Sequence, residues 1–382
     1  MATASMDVRI KILGEKDKST LRSKAMVAST YLDQGRWTEA EQLFVEVMET
    51  SRTVLGAEHP DTLMSMAKLA STYRNQGRWK ESEELDVKVI ETSRTVLGAE
   101  HPDTLTSMAN LATTFWNQGR WKEAEQLFVK VMETSRTVLG AEHPNTLTSI
   151  ANLASTYRNQ GRWKEAEELE VKLIETSRTV LGAKHPSTLT CMANLASTYR
   201  NQGRRKESEE LEVKVMETLR TVLGAEHPNT LTSIANLAST YRNQGRWKEA
   251  EELEVKVMET LRTVLGAEHP STLTSMNNLA LTYSEQGRWA EAEELQIQAV
   301  VGCKKSYGIQ HPHTHTAIST LAHIQRMRRQ ATWTDLVEEE LLISGLQRHE
   351  QHRDSSNKVP EQSTRKPRWR WLNRLRDRGH KQ

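Results

Sequence analysis

The sequence has few of the residues on which compact or secreted proteins usually depend. Among 382 residues there are two cysteines and three phenylalanines, and aromatic residues make up 5% of the chain. Cys191 and Cys303 each lie where the corresponding positions of the sequence hold other residues. The sequence therefore predicts neither a disulfide framework nor a zinc site, and a reducing, cytoplasmic setting is expected.

Long apolar runs are also missing. No stretch approaches the roughly 18 apolar residues of a membrane-spanning helix, and the first residues lack the apolar centre of a signal peptide. We therefore expect no transmembrane segment and no secretion.

Glycine, by contrast, is placed with strict regularity. Fifteen of the 18 glycines follow one another at intervals of 21 residues, from Gly14 to Gly308. They alternate between a Q-G-R turn, as at Gly245, and the end of an apolar run, as at Gly266. The period is thus 42 residues, with two helix-length segments in each unit. Such a period predicts a solenoid of stacked helical hairpins and favours a binding scaffold over an enzyme.

The unit at residues 229–270 shows how one hairpin is encoded. Its apolar residues recur at helical spacing in both halves: Leu231, Ile234, Leu237, Ala238 and Tyr241, then Trp247, Ala250, Leu253, Val257, Leu261 and Val264. Gly245 and Gly266 are placed to end the two helices. In the connecting A-E-H-P segment the proline fits the first turn of the next helix, and the Asp, Asn or Ser after it is predicted to cap that helix.

Three aligned columns predict how the hairpins pack. A small column predicts close approach of the two helices: Ala40, Ser82, Ala124, Ala166, Ser208, Ala250 and Ala292. A tryptophan column is interrupted by Arg205: Trp37, Trp79, Trp121, Trp163, Trp247 and Trp289. Because burial of a tryptophan stabilises by roughly 2–3 kcal/mol, we expect a softer joint at Arg205. A third column, four residues after the small one, is mixed: Phe44, Asp86, Phe128, Glu170, Glu212, Glu254 and Gln296.

These columns resemble the tetratricopeptide repeat (TPR). The motif N-L-A-x-x-Y-x-x-Q-G-x-W-x-x-A is carried by Asn236, Leu237, Ala238, Tyr241, Gln244, Gly245, Trp247 and Ala250. The 42-residue length and the V-L-G-x-x-H-P ending are similar to the kinesin light chain subtype, which also occurs in fungal nucleotide-binding immune-type receptors. The resemblance implies an all-α solenoid of helical hairpins, wound as a right-handed superhelix. The mixed column departs from the aromatic residue that the family often has there, which implies either that the adjacent leucine takes over the packing or that the helix is locally rotated.

The resemblance divides the chain into four segments. Residues 1–18 are the second half of a helix B and its turn, 19–312 are seven full repeats, and 313–348 are a degenerate capping hairpin. From its composition, the segment 349–382 is predicted to be a disordered basic tail rich in Trp and Arg, whose ten Lys/Arg and four Asp/Glu give it a charge of +6. Because the first residues align with the middle of a repeat, the chain is interpreted as a fragment, or a descendant, of a longer protein.

The resemblance also implies a ligand groove lined by the first helix of each hairpin. The candidate residues are Asn110, Asn152, Asn194, Asn236 and Asn278, with Arg74, Arg158, Arg200, Arg242 and Trp116. Carboxamides can hydrogen-bond both N–H and C=O of an extended peptide, and guanidinium groups can bind carboxylates. Trp116 interrupts the arginine column and is either a ligand anchor or a peculiarity of the third repeat. The alternative interpretation has the asparagines bonded to a neighbouring repeat and the arginines solvated.

No catalytic residue, cofactor or metal site is predicted. Seven histidines precede prolines at 42-residue intervals, which places neighbours about 10 Å apart, too far to share one metal ion. They are therefore interpreted as loop and cap residues. The cluster HPHTH at 311–315 lacks cysteine or carboxylate partners.

The sequence thus predicts a non-catalytic scaffold that binds an extended peptide or a partner protein. Two alternatives remain: the sensor array of a fungal-type signalling receptor, and a kinesin light chain-like cargo adaptor. The basic tail gives little support for nucleic-acid binding, and the oligomeric state is not predicted.

Overall fold

The computed structural model describes residues 2–331 and residue 333. Their contacts divide the chain into two units, residues 1–327 and 328–382. In the second unit, residues 328–331 and 333 are described and are helical. The contacts discussed below all belong to the first unit. The second helix of the predicted capping hairpin and the basic tail lie outside the described residues.

The first unit is built from alternating helices, and no strand occurs in its described residues. It starts with α1 (Ala2–Leu13), which packs on α2. The first helices of the repeats are α2 (Lys18–Asp33), α4 (Pro60–Asn75), α6 (Pro102–Asn117), α8 (Pro144–Asn159), α10 (Pro186–Asn201), α12 (Pro228–Asn243) and α14 (Pro270–Glu285). The second helices are α3 (Trp37–Leu55), α5 (Trp79–Leu97), α7 (Trp121–Val138), α9 (Trp163–Val180), α11 (Arg205–Leu223), α13 (Trp247–Leu265) and α15 (Trp289–Tyr307). A further helix, α16, begins at residue 312. The predicted all-α solenoid of helical hairpins is therefore confirmed.

The histidine of each H-P pair caps the helix that follows it. His143 has an extended backbone, and its Nδ1 accepts a hydrogen bond from the N–H of Asn145 at 3.2 Å, with Pro144 as the first helical residue. The interpretation of these histidines as loop and cap residues is therefore confirmed, whereas the expectation that the Asp, Asn or Ser after the proline caps the helix was wrong. That residue lies inside the first turn and is itself a donor in need of a partner, whereas the residue before a proline is held in the extended conformation that a cap requires.

The glycines end the helices as predicted. Gly161 has a φ of 76°, and the N–H of Arg162 after it bonds to the carbonyl of Tyr157 at 2.9 Å. A side chain at this φ would be strained, and the turn satisfies carbonyls that the end of α8 would otherwise leave free. The second class of glycine also has positive φ, for example 96° at Gly182.

The core is a series of small clusters instead of one centre. Every member of the small column is fully buried, as predicted, including Ser82 and Ser208. One cluster joins Ala112, Ala124 and Phe128 of the third repeat to Leu153 of the fourth. Each repeat therefore completes its apolar packing only with its neighbour, as expected of a solenoid, whose stability depends on the interfaces between adjacent repeats.

The tryptophan column does not belong to that core. Trp121, Trp163 and Trp247 each keep 39% of their surface exposed, because they are the first residues of their helices and lie at the rim. Val264 is likewise 51% exposed. Full burial of the tryptophan, on which the predicted softer joint at Arg205 rested, is therefore not observed, and the softer joint stays a prediction.

Polar contacts join the repeats at this rim. The carboxamide of Gln160 donates to the carbonyl of Trp121 at 3.3 Å, and Gln244 makes the equivalent contact with Arg205. Arg162 lies 4.0 Å from the ring centre of Tyr157 and donates to Glu125 of the preceding repeat at 2.7 Å. Because these charges are partly exposed, each pair contributes modestly, up to about 1 kcal/mol. The Q-G-R turn is thus both a helix end and the polar joint to the preceding unit.

The first helices lie on the inner side of the array. Successive first helices touch one another, from α2 with α4 to α12 with α14, whereas no two second helices of the described chain make comparable contact. Stacking that is tighter on one side curves the array toward that side. The first helices therefore line the concave face, as the resemblance implied.

This curvature brings the ends of the first unit together. Pro270 lies against the turn at Gly35, and Pro312 lies against the turn at Gly77. His311 Nε2 lies 2.9 Å from the carbonyl oxygen of Asn75, 236 residues earlier in the sequence. Residues of the first two repeats therefore contact the start of the seventh repeat and of α16.

Candidate peptide-binding groove

Five asparagines follow one another along the concave face. Asn110, Asn152, Asn194, Asn236 and Asn278 occupy equivalent positions on α6, α8, α10, α12 and α14, and all are half-buried. Within the described residues their carboxamides make no hydrogen bond, whereas their backbone carbonyls do. Each carboxamide thus keeps its donors and its acceptor available for another molecule.

Four of these side chains line clefts at the first helices. A cleft of about 350 Å³ lies between α4 and α6 and is lined by Asn110, and one of about 160 Å³ between α6 and α8 is lined by Asn110 and Asn152. Asn236 and Asn278 line a larger cleft of about 440 Å³, on whose other side lie Trp37 and Trp79. The asparagine column is therefore accessible from the concave side.

The four arginines are engaged inside the protein. Arg158 Nη1 donates to Glu170 Oε1 at 3.0 Å and to the backbone carbonyl of Asn194 at 3.2 Å. Equivalent ion pairs are Arg74–Asp86, Arg200–Glu212 and Arg242–Glu254. The arginine side chains are 12–20% exposed and the carboxylates 2–3%. Each arginine therefore ties its own repeat to the asparagine-bearing helix of the next.

Burial perturbs the protonation of both partners. Desolvation raises the pKa of Asp86 to about 6 and that of Glu212 to about 7, against the opposing effect of the nearby arginines. It also raises the pKa of Glu170 and Glu254, and it lowers the pKa of Arg74 and Arg158. Carboxylates with raised pKa values suggest acid–base chemistry when they face a cleft, but these lie in the joint between repeats, where no substrate reaches them.

The mixed column of the sequence is explained by these pairs. It is buried in every repeat, and its identity follows that of the residue twelve positions earlier. Where the earlier residue is an arginine, the column holds a carboxylate. Where it is Leu32 or Trp116, the column holds phenylalanine, and where it is Ser284, the column holds Gln296. This twelve-residue covariation among the repeats was the sequence signal that could have identified the ion pairs. The leucine before the column packs on the apolar clusters, as at Leu85, Leu169 and Leu253, and the predicted local rotation of the helix stays a prediction.

In the third repeat, Trp116 occupies the position of these arginines and packs against apolar residues instead of forming an ion pair. It is half-buried and contacts the cluster around Phe128. Its Nε1 is buried without a hydrogen-bond partner among the described residues. Its predicted role as a ligand anchor stays a prediction.

A second group of side chains lies where the ends of the unit meet. The rings of Trp37 and Tyr307 are stacked with centroids 4.9 Å apart, and His311 lies 5.6 Å from Trp37. His313 stacks on His311 at 5.2 Å. Sequence reasoning missed this cluster, although Tyr307 replaces the leucine that precedes the corresponding glycine in the six preceding repeats.

Burial lowers the pKa of His311 and His313, which favours neutral rings at this contact. Among the described residues, no three His, Cys, Asp or Glu side chains converge in a way that could hold a metal ion. Likewise, none of the described helices combines the length and the apolar content needed to cross a lipid bilayer.

Comparison with known families agrees with this architecture. Family models described as Tetratricopeptide repeat match residues 19–83, 64–134, 110–178, 233–300 and 271–331, and a second model of the same description matches 188–229. The chain therefore belongs to the tetratricopeptide repeat family. The TPR fold is a scaffold for protein–protein interaction or for sensing, and its members are typically non-catalytic.

Three solved structures illustrate the range of similar proteins. A kinesin light chain-like protein from Podosopora anserina with nearly identical TPR-like repeats is 34% identical, over 54% of this chain and 98% of that one, with a TM-score of 0.44. A signal transduction ATPase of the STAND class with a TPR sensor, from Pyrococcus horikoshii, is 13% identical over 91% of this chain and 53% of that one, with a TM-score of 0.51. The quorum sensor NprR from B. thuringiensis is 15% identical over 80% and 87%, with a TM-score of 0.47. No curated protein matches the chain in sequence.

Proposed function

We propose that this protein is a non-catalytic scaffold that binds an extended peptide, or an extended segment of a partner protein, along its concave face. The observation that carries the proposal is the column of five half-buried asparagines whose carboxamides are unbonded within the described residues. Their spacing of one per repeat suits a ligand that runs across the first helices and offers its backbone to each carboxamide in turn.

The arginines have a supporting role in this proposal. Arg74, Arg158, Arg200 and Arg242 donate to the backbone carbonyls of Asn110, Asn194, Asn236 and Asn278. They therefore hold the asparagine-bearing helices in position. Their charge is already compensated by buried carboxylates. The ligand is therefore recognised by the asparagine carboxamides and by the shape of the groove, and not by the charge of the guanidinium groups.

The proposal is tested with a library of random twelve-residue peptides displayed on phage, selected against the full chain. Affinities of the selected peptides are then measured by fluorescence anisotropy for the wild type and for Asn152→Ala/Asn194→Ala/Asn236→Ala. Each lost neutral hydrogen bond costs about 0.5–1.5 kcal/mol, so we expect the triple variant to bind at least tenfold more weakly. Circular dichroism should show unchanged helix content.

The control replaces three exposed residues on the second helices, which do not line the concave face. Lys172, Lys214 and Lys256 are exposed on α9, α11 and α13. Lys172→Ala/Lys214→Ala/Lys256→Ala should leave the affinity within about twofold. Equal affinities in the wild type and in the column variant would rule out the asparagine column as the binding site.

The sensor and cargo-adaptor roles predicted from the 42-residue subtype stay predictions. Both would use the same groove, so the peptide experiment does not depend on choosing between them. We also propose a cytoplasmic location, supported by two free and buried thiols, of which Cys303 has a pKa raised by desolvation to about 11.

A further inference from the structure

Two rows of residues run along the rim of the array. The turn row consists of the seven Q-G-R-type glycines, each followed two positions later by the tryptophan column: Gly35, Gly77, Gly119, Gly161, Gly203, Gly245 and Gly287. The His-Pro row consists of the histidines before the first helices, each followed by its proline: His59, His101, His143, His185, His227, His269 and His311. Both rows repeat every 42 residues.

The rows fit each other, because they already meet at two places within the chain. A Cβ atom on Gly35 would lie 2.6 Å from Pro270 Cδ, and one on Gly77 would lie 2.6 Å from Pro312 Cδ. Only a glycine allows the proline ring this close. The two contacts are one repeat apart on both sides, so the rows are in register.

Hydrogen bonds fix the same contact. The Nδ1 atom of His311 accepts from the N–H of His313, which leaves Nε2 protonated and able to donate to the carbonyl of Asn75. At the equivalent place, burial lowers the pKa of His269 and the nearby backbone of Asp33 opposes this effect, so the ring lies close to that turn. His311 therefore caps its own helix with one nitrogen and binds the turn row with the other.

Most of both rows is unused within the described residues. No atom lies within 4 Å of a Cβ built on Gly161, Gly203 or Gly245. The contacts of His101, His143 and His185 involve Nδ1, which accepts the capping hydrogen bond and at His101 also lies 3.8 Å from Asp103 Oδ2, and their Nε2 atoms make no hydrogen bond among the described residues. Three tryptophans of the turn row remain 39% exposed, a large apolar side chain at regular intervals on the surface.

We propose that a second copy of this chain docks its His-Pro row on the free turn row, head to tail, and so repeats between molecules the contact that each molecule makes within itself. A second copy carries the complementary row at the same 42-residue spacing, so that one contact brings the next into register. The two rows are different surfaces, and each docked copy leaves one of its rows free. The association is therefore heterologous and open, and it adds molecules in a helical series.

The proposal is tested by sedimentation velocity of the full chain between about 1 and 200 μM, a range that reveals weak mass-action assembly. The wild type should form dimers and larger species as the concentration rises. His101→Asn/His143→Asn/His185→Asn removes the second donor of each histidine but keeps the cap, because asparagine is an equally good N-cap residue. We expect this variant to associate at least about tenfold more weakly with unchanged helix content.

The turn row is disabled separately by Trp121→Arg/Trp163→Arg/Trp247→Arg, a replacement that the fifth repeat already has at Arg205. Each variant alone should be monomeric where the wild type assembles. Mixed in equal amounts they should form a one-to-one dimer and nothing larger, because each supplies the row that the other lacks. Lys130→Gln/Lys172→Gln/Lys214→Gln, on exposed positions of the second helices, is the control and should assemble as the wild type does.

Three results would overturn the proposal. The wild type could remain monomeric over the whole range, the row variants could assemble as the wild type does, or the mixture could remain monomeric. Loss of assembly in the lysine control would also count against it, because the contact would then lie on another face.

Discussion

Arg158 Nη1 lies 3.0 Å from Glu170 Oε1, in a joint between repeats where the carboxylate is only 2% exposed. A buried ion pair of this kind is costly to desolvate, and replacing it by apolar residues of similar volume is often neutral or stabilising. The third repeat shows such a replacement in the same chain, with Trp116 and Phe128 at the equivalent positions. The pair is therefore one of two interchangeable ways to fill the same joint.

Exchanging one member of the pair should be far worse than exchanging both. We expect Arg158→Trp and Glu170→Phe each to destabilise by about 3–5 kcal/mol, because each leaves a buried charge without its partner. The double variant should lie within about 1.5 kcal/mol of the wild type, because it recreates the packing of the third repeat. Denaturant midpoints of the four proteins give the coupling energy, and additive single effects would refute the interchange.

The raised pKa of Glu212 predicts an unusual pH dependence of stability. Its folded-state pKa of about 7 lies above the ordinary value of 4.5, so the folded protein binds more protons than the unfolded chain between these values. The contribution of Glu212 is therefore complete below about pH 4.5 and is lost as the pH rises through 7, with a slope of at most about 1.4 kcal/mol for each pH unit. Glu212→Gln should reduce this decline.

Thermal melts between pH 5 and 8 test this prediction. The control is Glu252→Gln, an exposed carboxylate on the second helix of the next repeat. It should leave the pH profile as it is in the wild type. A profile that Glu212→Gln does not alter would show that this carboxyl titrates as an ordinary one.

Glycine substitutions separate the strain of a turn from the contact at the rim. Gly77 and Gly161 have φ values of 74° and 76°, so alanine should cost each about 1–2 kcal/mol. Only at Gly77 would the new Cβ also meet Pro312. Gly77→Ala should therefore destabilise more than Gly161→Ala and should increase the radius of gyration measured by small-angle scattering. Identical scattering of the two variants would contradict the observed approach of Pro312.

Features of the fold that depend on residues close together in the sequence could be predicted, and features that depend on residues far apart could not. The hairpins follow from glycine, histidine and proline at fixed local positions, so their existence and their 42-residue period were predicted correctly. The histidines were interpreted as loop and cap residues, but a capping role was also assigned to the residue after the proline, which does not cap. The tryptophans were taken as buried, because a pattern of apolar residues does not show which of them lies at the rim. The Arg–carboxylate pairs join separate helices, and periodicity within one helix does not reveal them.

The contact between Asn75 and His311 is even harder to predict from the sequence. It depends on the small rotation between successive repeats, summed over more than five of them. The residues around Asn75 and His311 do not indicate how large this total rotation is. The asparagine column, by contrast, could be selected from the sequence because the family motif assigns it to the inner helix, and its binding role remains a prediction.

Acidification should open the contact between the ends of the first unit. His311 faces Asn75, Trp37, Tyr307 and His313, and burial lowers the pKa of both histidines below 6.5. Neutral rings are thus favoured in the closed state, so the contact is complete above about pH 6.5 and is lost as the pH falls through the lowered values. Spin labels on Gln34→Cys and Ser271→Cys report the separation by double electron–electron resonance, since the native Cys191 and Cys303 are buried. The distance distribution should broaden and lengthen between pH 7.5 and 5, and an unchanged distribution would contradict the assignment. His311→Asn, which keeps the cap but lacks both the ring and Nε2, should show the open distribution already at pH 7.5.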